Sequence, residues 1–248
     1  MYQTWTTPAG EHSRLYLDIA QQSHVLIAGA TGSGKSVIIN GIIHTILFNS
    51  PAKARFILID PKRVELAAYA NLPHTITHAK GFDPEAWKNA LQTAVNIMDS
   101  RYMEMERKRQ KLYNGSDVYV IIDEYATIAK AGGRDCYKLL LRLVSEGRAA
   151  RVHCIIATQV PKADIIRTEI RENMTARVCL HCNTKTESRV LMDQPGCETL
   201  PQYGFGYYVK PGNSTLYKIP MVEQPELDRI ITHWTTTKPR RTFFKPAI

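Results

Sequence analysis

His24-Val25-Leu26-Ile27-Ala28-Gly29-Ala30-Thr31-Gly32-Ser33-Gly34-Lys35-Ser36-Val37 is the stretch on which the architecture turns. A short apolar run of buried-strand type enters a G-x-x-x-x-G-K-S loop at Gly29. Ser36 to Phe48 then carries Val37, Ile38, Gly41, Ile42, Thr45 and Ile46 close to helical spacing. Strand, glycine loop and helix in that order form a phosphate cradle. Glycines let consecutive backbone N–H groups converge on phosphate oxygens, and the helix turns its N-terminus to the same anion. Gly29, Ala30, Thr31, Gly32, Ser33, Gly34, Lys35 and Ser36 are therefore expected to hold ATP. Lys35 supplies a point charge and Ser36 a hydroxyl for Mg²⁺.

Working outward, short β-type runs alternate with longer helical patterns, which predicts an α/β fold with a mainly parallel central sheet flanked by helices. The expected strands are His24–Ala28, Arg55–Ile59, Val118–Ile122, Val152–Ala157 and Ala176–Cys182. Phe205–Lys210 and Ser214–Ile219 flank Pro211-Gly212-Asn213 and read as a late antiparallel hairpin. Pro84 to Leu112 reads as one long helix, with Gly115 shortly past its end. The chain divides into a short lead-in (1–23), one large domain (24–235) and a basic tail (236–248), extended from about Thr235 onward.

A phosphate loop calls for a carboxylate at the end of another buried strand, and Asp123-Glu124 supplies it after Val118–Ile122. Asp123 is expected to hold Mg²⁺ through water, and Glu124 to polarise the attacking water as general base. The competing reading of Glu124 is a cap for the next helix. Gln159, at the tip of the fourth strand, is placed to sense the terminal phosphate and relay its loss.

The chain carries 32 Lys and Arg against 23 Asp and Glu, a net charge of +9, which favours an anionic partner such as nucleic acid. It has no apolar run near the ~18 residues that span a bilayer and no signal-peptide core, so a cytoplasmic location without direct membrane insertion is expected. Five cysteines without a framework pattern read as reduced thiols.

Taken together, these residues resemble the motor domain of the FtsK/SpoIIIE family, RecA-like P-loop ATPases of the HerA/FtsK group. Beyond the glycine loop, the resemblance is carried by Ile59-Asp60-Pro61-Lys62-Arg63-Val64-Glu65-Leu66, Gly147-Arg148-Ala149-Ala150, Ala157-Thr158-Gln159 with Pro161, and Ser188-Arg189-Val190-Leu191-Met192-Asp193-Gln194-Pro195-Gly196. It implies a hexameric ring of identical subunits that hydrolyses ATP at their interfaces and moves double-stranded DNA through its pore. It also implies a trans-acting arginine, with Arg148 the first choice and Arg177 the second. Arg171, Lys185 and Arg189 match pore-facing basic positions; Arg167 would share a face with Arg171 if Ile165–Asn173 is helical. Two positions depart from the pattern, Arg151 where glycine is usual and Val160 where arginine is usual. Nothing resembles the membrane helices or the DNA-sequence-reading domain of full-length relatives, which implies a membrane-anchored or DNA-loading partner. The alternatives are a conjugative coupling ATPase acting on single-stranded DNA, a type VII secretion-like ATPase acting on protein, and a non-motor ATP-dependent adaptor.

Three features point elsewhere more weakly. Cys179-Leu180-His181-Cys182 looks like half a zinc site, but on a strand its thiols would face opposite sides. The basic stretch Arg101–Lys111 reads as a solvated helix face, because Glu104 and Glu106 interrupt it. Lys238, Arg240, Arg241 and Lys245 read as a soluble terminus or an auxiliary DNA arm.

Overall fold

In the computed structural model, the described residues are 2–4, 14–16, 22–219 and 224–236. Ten strands are present among them: β1 (Tyr2–Thr4), β2 (Arg14–Tyr16), β3 (Val25–Ala28), β4 (Ala54–Asp60), β5 (Thr75–Lys80), β6 (Asp117–Ile122), β7 (Val152–Thr158), β8 (Ala176–Leu180), β9 (Phe205–Lys210) and β10 (Asn213–Lys218). The helices are α1 (Lys35–Asn49), α2 (Pro84–Arg107), α3 (Tyr125–Ala131), α4 (Gly133–Glu146), α5 (Thr168–Asn173), α6 (Lys185–Met192) and α7 (Gln224–Thr236). The pair β1-β2 stands apart, and the main sheet has the order β10-β9-β8-β3-β7-β6-β4-β5. Strands β8 to β5 in that order run parallel, and the β9-β10 hairpin adds antiparallel to β8. The expected parallel sheet and late hairpin are both present.

Side-chain alternation divides the core into two layers. Leu26, Ala28, Ile57, Ile59, Cys154 and Ile156 face the layer of α2, α3 and α4. Val25, Ile27, Phe56, Leu58, Ile155 and Ala157 face the layer that holds the α1 residues Ile38, Ile42 and Ile46. Asp83 caps α2 by accepting from the Ala86 N–H at 3.0 Å, and Pro84 at the first helical position has no N–H to leave unpaired. From there Trp87, Leu91, Ala94, Val95 and Met98 recur on one buried face.

Several expectations are corrected. The long helix stops at Arg107 instead of Leu112, because Arg109 adopts φ 52° and the Gln110 N–H turns back to the Met105 carbonyl at 2.8 Å. A residue other than glycine makes this left-handed stop, so the sequence pattern passes over it. Arg101 is not on a solvated face: it is buried, donates to the carbonyls of Ala150 and Arg151, and lies over the Tyr113 ring. Strand β5 was not expected, since Thr75-Ile76-Thr77-His78 shows little apolar alternation at a sheet edge. Thr235 and Thr236 close α7 instead of opening an extended tail; the four basic tail residues lie outside the described residues.

Arg151, where the family pattern has glycine, keeps a left-handed backbone at φ 55°. Its guanidinium offsets the strain with a two-pronged ion pair to Asp117 at 2.8 and 2.7 Å.

The buried histidines predict acid lability. Burial lowers His24 to about 3 and also lowers His44 and His74. His24 must stay neutral, since its Nδ1 accepts the Cys154 N–H at 3.0 Å. The unfolded chain therefore binds more protons below the ordinary value of 6.5, so stability is full above it and lost as pH falls from there. His24 alone accounts for about 1.4 kcal/mol per pH unit in that window. Asp123, raised to about 7, works in the opposite sense in this window, so the histidine effect is read in Asp123→Asn: its urea midpoint should be clearly lower at pH 5.5 than at 7.5, and equal midpoints would contradict the assignment.

Candidate active site

The phosphate loop sits at the C-terminal end of β3, fastened on both sides. The Gly29 N–H reaches the Thr158 carbonyl of β7 at 3.3 Å, and the Ala30 N–H reaches the His181 carbonyl beyond β8 at 2.7 Å. A Cβ on Gly29 would lie 2.6 Å from Leu180 Cβ and 2.7 Å from Ser33 Oγ, so only glycine fits there. Gly34 takes φ 102° and opens α1, whose first residue is Lys35. The Lys35 ammonium donates to the Gly29 and Ala30 carbonyls at 2.7 and 2.8 Å. Burial pushes its pKa down to about 8, so it remains a cation at neutral pH.

Asp123 and Glu124 end β6 side by side in sequence but differ in surroundings. Asp123 is pushed up to about 7, first by burial and then by the carboxylates of Asp60 and Glu65. Glu124 is held from several directions. Its Oε1 accepts from Thr158 Oγ1 at 3.0 Å, the Gln159 N–H at 3.1 Å and the Ala126 N–H at 3.3 Å. Its Oε2 pairs with the Lys62 ammonium at 3.0 Å. Glu124 therefore does cap α3, as the competing reading held, while facing β7 with the same carboxylate.

Gln159 connects the two halves. Its Oε1 accepts from the Thr31 hydroxyl of the phosphate loop at 3.2 Å, and its backbone N–H donates to Glu124. The strand register explains this: β7 lies between β3 and β6, so its tip meets both the loop and the acidic pair.

The donor set fits ATP and Mg²⁺. Ser33 Oγ is buried in the loop with no hydrogen-bond partner, an orphan that a phosphate oxygen would satisfy. The loop amides and Lys35 would hold the phosphates, and Ser36 with Asp123 would hold the ion. Among the described residues no three His, Cys, Asp or Glu side chains are grouped to bind a metal, so its other ligands would be phosphate and water.

Lys62 is the residue that the sequence reading missed. Its signal was the Asp60-Pro61-Lys62 segment, which carried a resemblance without a chemical role. The fully buried Asp60 carboxylate accepts the N–H groups of Lys62 at 3.2 Å and Leu66 at 3.0 Å, curling the loop so that Lys62 turns onto Glu124. The Ser188–Gly196 segment is likewise a folded turn. Ser188 Oγ donates to the Gln194 carbonyl and accepts from the Cys197 N–H, while Asp193 takes φ 63°.

The expected arginines and lysines separate. Arg148 is exposed in the turn before β7, at the opposite end of the sheet from the phosphate loop. The seven residues of β7 span about 20 Å at ~3.3 Å each, so Arg148 does not reach its own subunit's loop. Arg177 is tied to the carbonyls of Met174 and Leu191 and to Asp193, and is not available as a finger. Arg167 precedes α5 instead of lying on it, and its guanidinium covers the Tyr137 ring at 4.6 Å. Arg171 turns to the Val190 carbonyl of α6 at 3.4 Å. Lys185 and Arg189 are exposed one turn apart on α6 and share a face. The Cys179 and Cys182 thiols do not diverge, because β8 ends at Leu180 and Cys182 folds back into the layer of Cys179 and Cys197.

Comparison with known proteins agrees with this geometry. A family model described as "FtsK/SpoIIIE family" matches residues 7–115. The chain is 33% identical over 251 residues to the DNA translocase FtsK of Leptospira interrogans, covering 93% of this chain and 26% of that protein. It is 34% identical over 230 residues to the DNA translocase FtsK of Helicobacter pylori, covering 86% of this chain and 27% of the relative. The chain thus spans about a quarter of the length of these relatives. Among solved structures, EssC ATPases 2 and 3 from Geobacillus thermodenitrificans share the fold with a TM-score of 0.83 at 15% identity, over 96% of this chain and 50% of that one. The conjugation coupling protein TcpA of pCW3 gives 0.79 at 19% identity, over 94% and 70%. By its phosphate loop, its acidic pair and these relatives, the chain belongs to the FtsK/SpoIIIE family.

Proposed function

We propose that this chain is an ATP-driven translocase of double-stranded DNA, working in the cytoplasm as a hexameric ring with hydrolysis at subunit interfaces. Residues 24–235 form its motor unit, and a membrane-anchored or DNA-loading partner directs it. The observation that carries this reading is the connection Thr31–Gln159–Glu124, which links the phosphate loop to the candidate base through one residue just past the end of β7. A binding module needs no such connection; a motor does, because phosphate release has to move something.

In this reading the loop amides and Lys35 orient the phosphates, and Mg²⁺, when bound, neutralises charge on them. Glu124 takes the proton of the attacking water. Arg148 of a neighbouring subunit stabilises charge on the transferring phosphoryl group, consistent with its distance from its own loop. Relatives named DNA translocase at 33–34% identity support DNA as the substrate. The conjugation coupling protein TcpA and the ATPases of EssC share the fold at 19% and 15% identity, which speaks for the fold alone. Among the described residues no helix is long and apolar enough to cross a membrane.

Lys185 and Arg189 are exposed DNA candidates on one face of α6, whereas Arg171 is partly committed to Val190 and Arg167, also exposed, lies over the Tyr137 ring. Lys185→Ala with Arg189→Ala is expected to leave polymer-free hydrolysis unchanged and to weaken DNA affinity. The salt dependence of binding should flatten by about two phosphate contacts. Duplex titration at several salt concentrations checks this, and an unchanged slope would remove α6 from the DNA path.

A further inference from the structure

Glu124 has to expose an oxygen to water if it is to take a proton, and its two oxygens are not equivalent. Oε1 already accepts three hydrogen bonds, from Thr158, Gln159 and Ala126. A carboxylate oxygen has about two lone-pair sites, so Oε1 has none left. Only Oε2 remains, and the Lys62 ammonium takes one of its two lone-pair sites at 3.0 Å and places a positive charge beside the other. The pair is well sheltered on the acid's side, with the Glu124 side chain 4% exposed and that of Lys62 40%. Lys62 arrives from β4, a strand beside β6, on a loop whose next residues, Arg63 and Val64, are exposed. The loop's shape does not depend on the ion pair, because Asp60 holds it through backbone N–H groups.

We infer that Lys62 is a positioning residue that holds Glu124 back, taking one of the two lone-pair sites on Oε2 and making the other less basic, so that hydrolysis is slowed until the Lys62–Glu124 pair opens. This rests on Glu124 being the general base, as proposed above. The ammonium keeps its own proton throughout. The proton that moves is the water's, passing to Oε2 as the water oxygen bonds to the γ-phosphorus and the bond from that phosphorus to the departing ADP oxygen breaks.

Lys62→Met tests the restraint, since methionine keeps the length and removes the charge, and Glu124 retains three donors. Turnover of ATP without DNA should rise about threefold or more, with nucleotide affinity within about twofold of the natural chain. Stimulation by duplex DNA should shrink by the same factor. Lys62→Arg, which keeps a cation on Oε2, should behave like the natural chain. Unchanged or lower turnover in a Lys62→Met protein that melts normally overturns the inference.

If Lys62→Met is unstable, acetylation footprinting decides. Lys62 should label more slowly than the exposed Lys53 in the natural chain and at a similar rate in Glu124→Gln; no difference between the two proteins overturns the inference. Failure of the underlying reading looks different. A Glu124→Gln protein that hydrolyses ATP at the natural rate removes the base itself. A dead Glu124→Gln beside an unaccelerated Lys62→Met removes only the restraint.

Discussion

Lys35→Ala is expected to abolish nucleotide binding and hydrolysis together. The ammonium is the buried positive charge of the phosphate loop, seated on the Gly29 and Ala30 carbonyls at 2.7 and 2.8 Å. Alanine removes the charge that faces the phosphates and leaves two carbonyls without that donor. The Gly29 carbonyl costs about 1–3 kcal/mol if water does not replace the ammonium, whereas the Ala30 carbonyl keeps the Ser33 N–H at 3.2 Å. The chain should still fold, because α1 is held by Ile38, Ile39, Ile42, Ile43 and Ile46, all buried. Turnover should fall at least about a hundredfold, and titration calorimetry with a slowly hydrolysed ATP analogue should detect no saturable binding. Near-normal affinity in a folded Lys35→Ala protein would mean that the loop amides alone hold the nucleotide.

Arg148→Ala should separate what Lys35→Ala couples. Arg148 is exposed and, among the described residues, has no hydrogen bond or ion pair to lose, so stability and ATP affinity should be unchanged. Hydrolysis should fall about a thousandfold, the range seen when a trans-acting arginine is removed. The sheet geometry gives a sharper form of the test. Because Arg148 lies at the opposite end of β7 from its own phosphate loop, it could meet such a loop only in a neighbouring subunit. Mixing inactive Lys35→Ala with inactive Arg148→Ala should therefore restore part of the activity, each subunit supplying what its neighbour lacks. A mixture as inactive as its components would place the arginine elsewhere, or place hydrolysis within one subunit.

The sequence was most informative where local chemistry and chain order coincide. Gly29 to Ser36 between a strand and a helix, and Asp123-Glu124 at a strand end, are read from adjacent residues, and the structure places them together. Contacts between distant segments were legible only as positions. Gln159 could be named because a polar residue ends an apolar strand, yet its bond to Thr31 depends on the order β3-β7-β6. Lys62 shows the limit: its pairing with Glu124 spans the β4–β6 neighbourhood and a curl set by Asp60, and neither has a local pattern. The basic residues differ from one another for a related reason. Arg101, Arg167, Arg171 and Arg177 look alike in sequence, but backbone carbonyls or aromatic rings occupy their guanidinium groups. Exposure, which periodicity does not report for irregular segments, leaves Arg148, Lys185 and Arg189 accessible, and Arg167 accessible with its guanidinium over the Tyr137 ring.

The most direct measurement is the steady-state ATP turnover of the chain alone, with single-stranded DNA, with duplex DNA, and with a secretion-type protein substrate. The account predicts strong stimulation by duplex DNA, little by single strands and none by protein, with the duplex effect lost in Arg148→Ala. Turnover indifferent to duplex DNA, or raised only by single strands or protein, would contradict it.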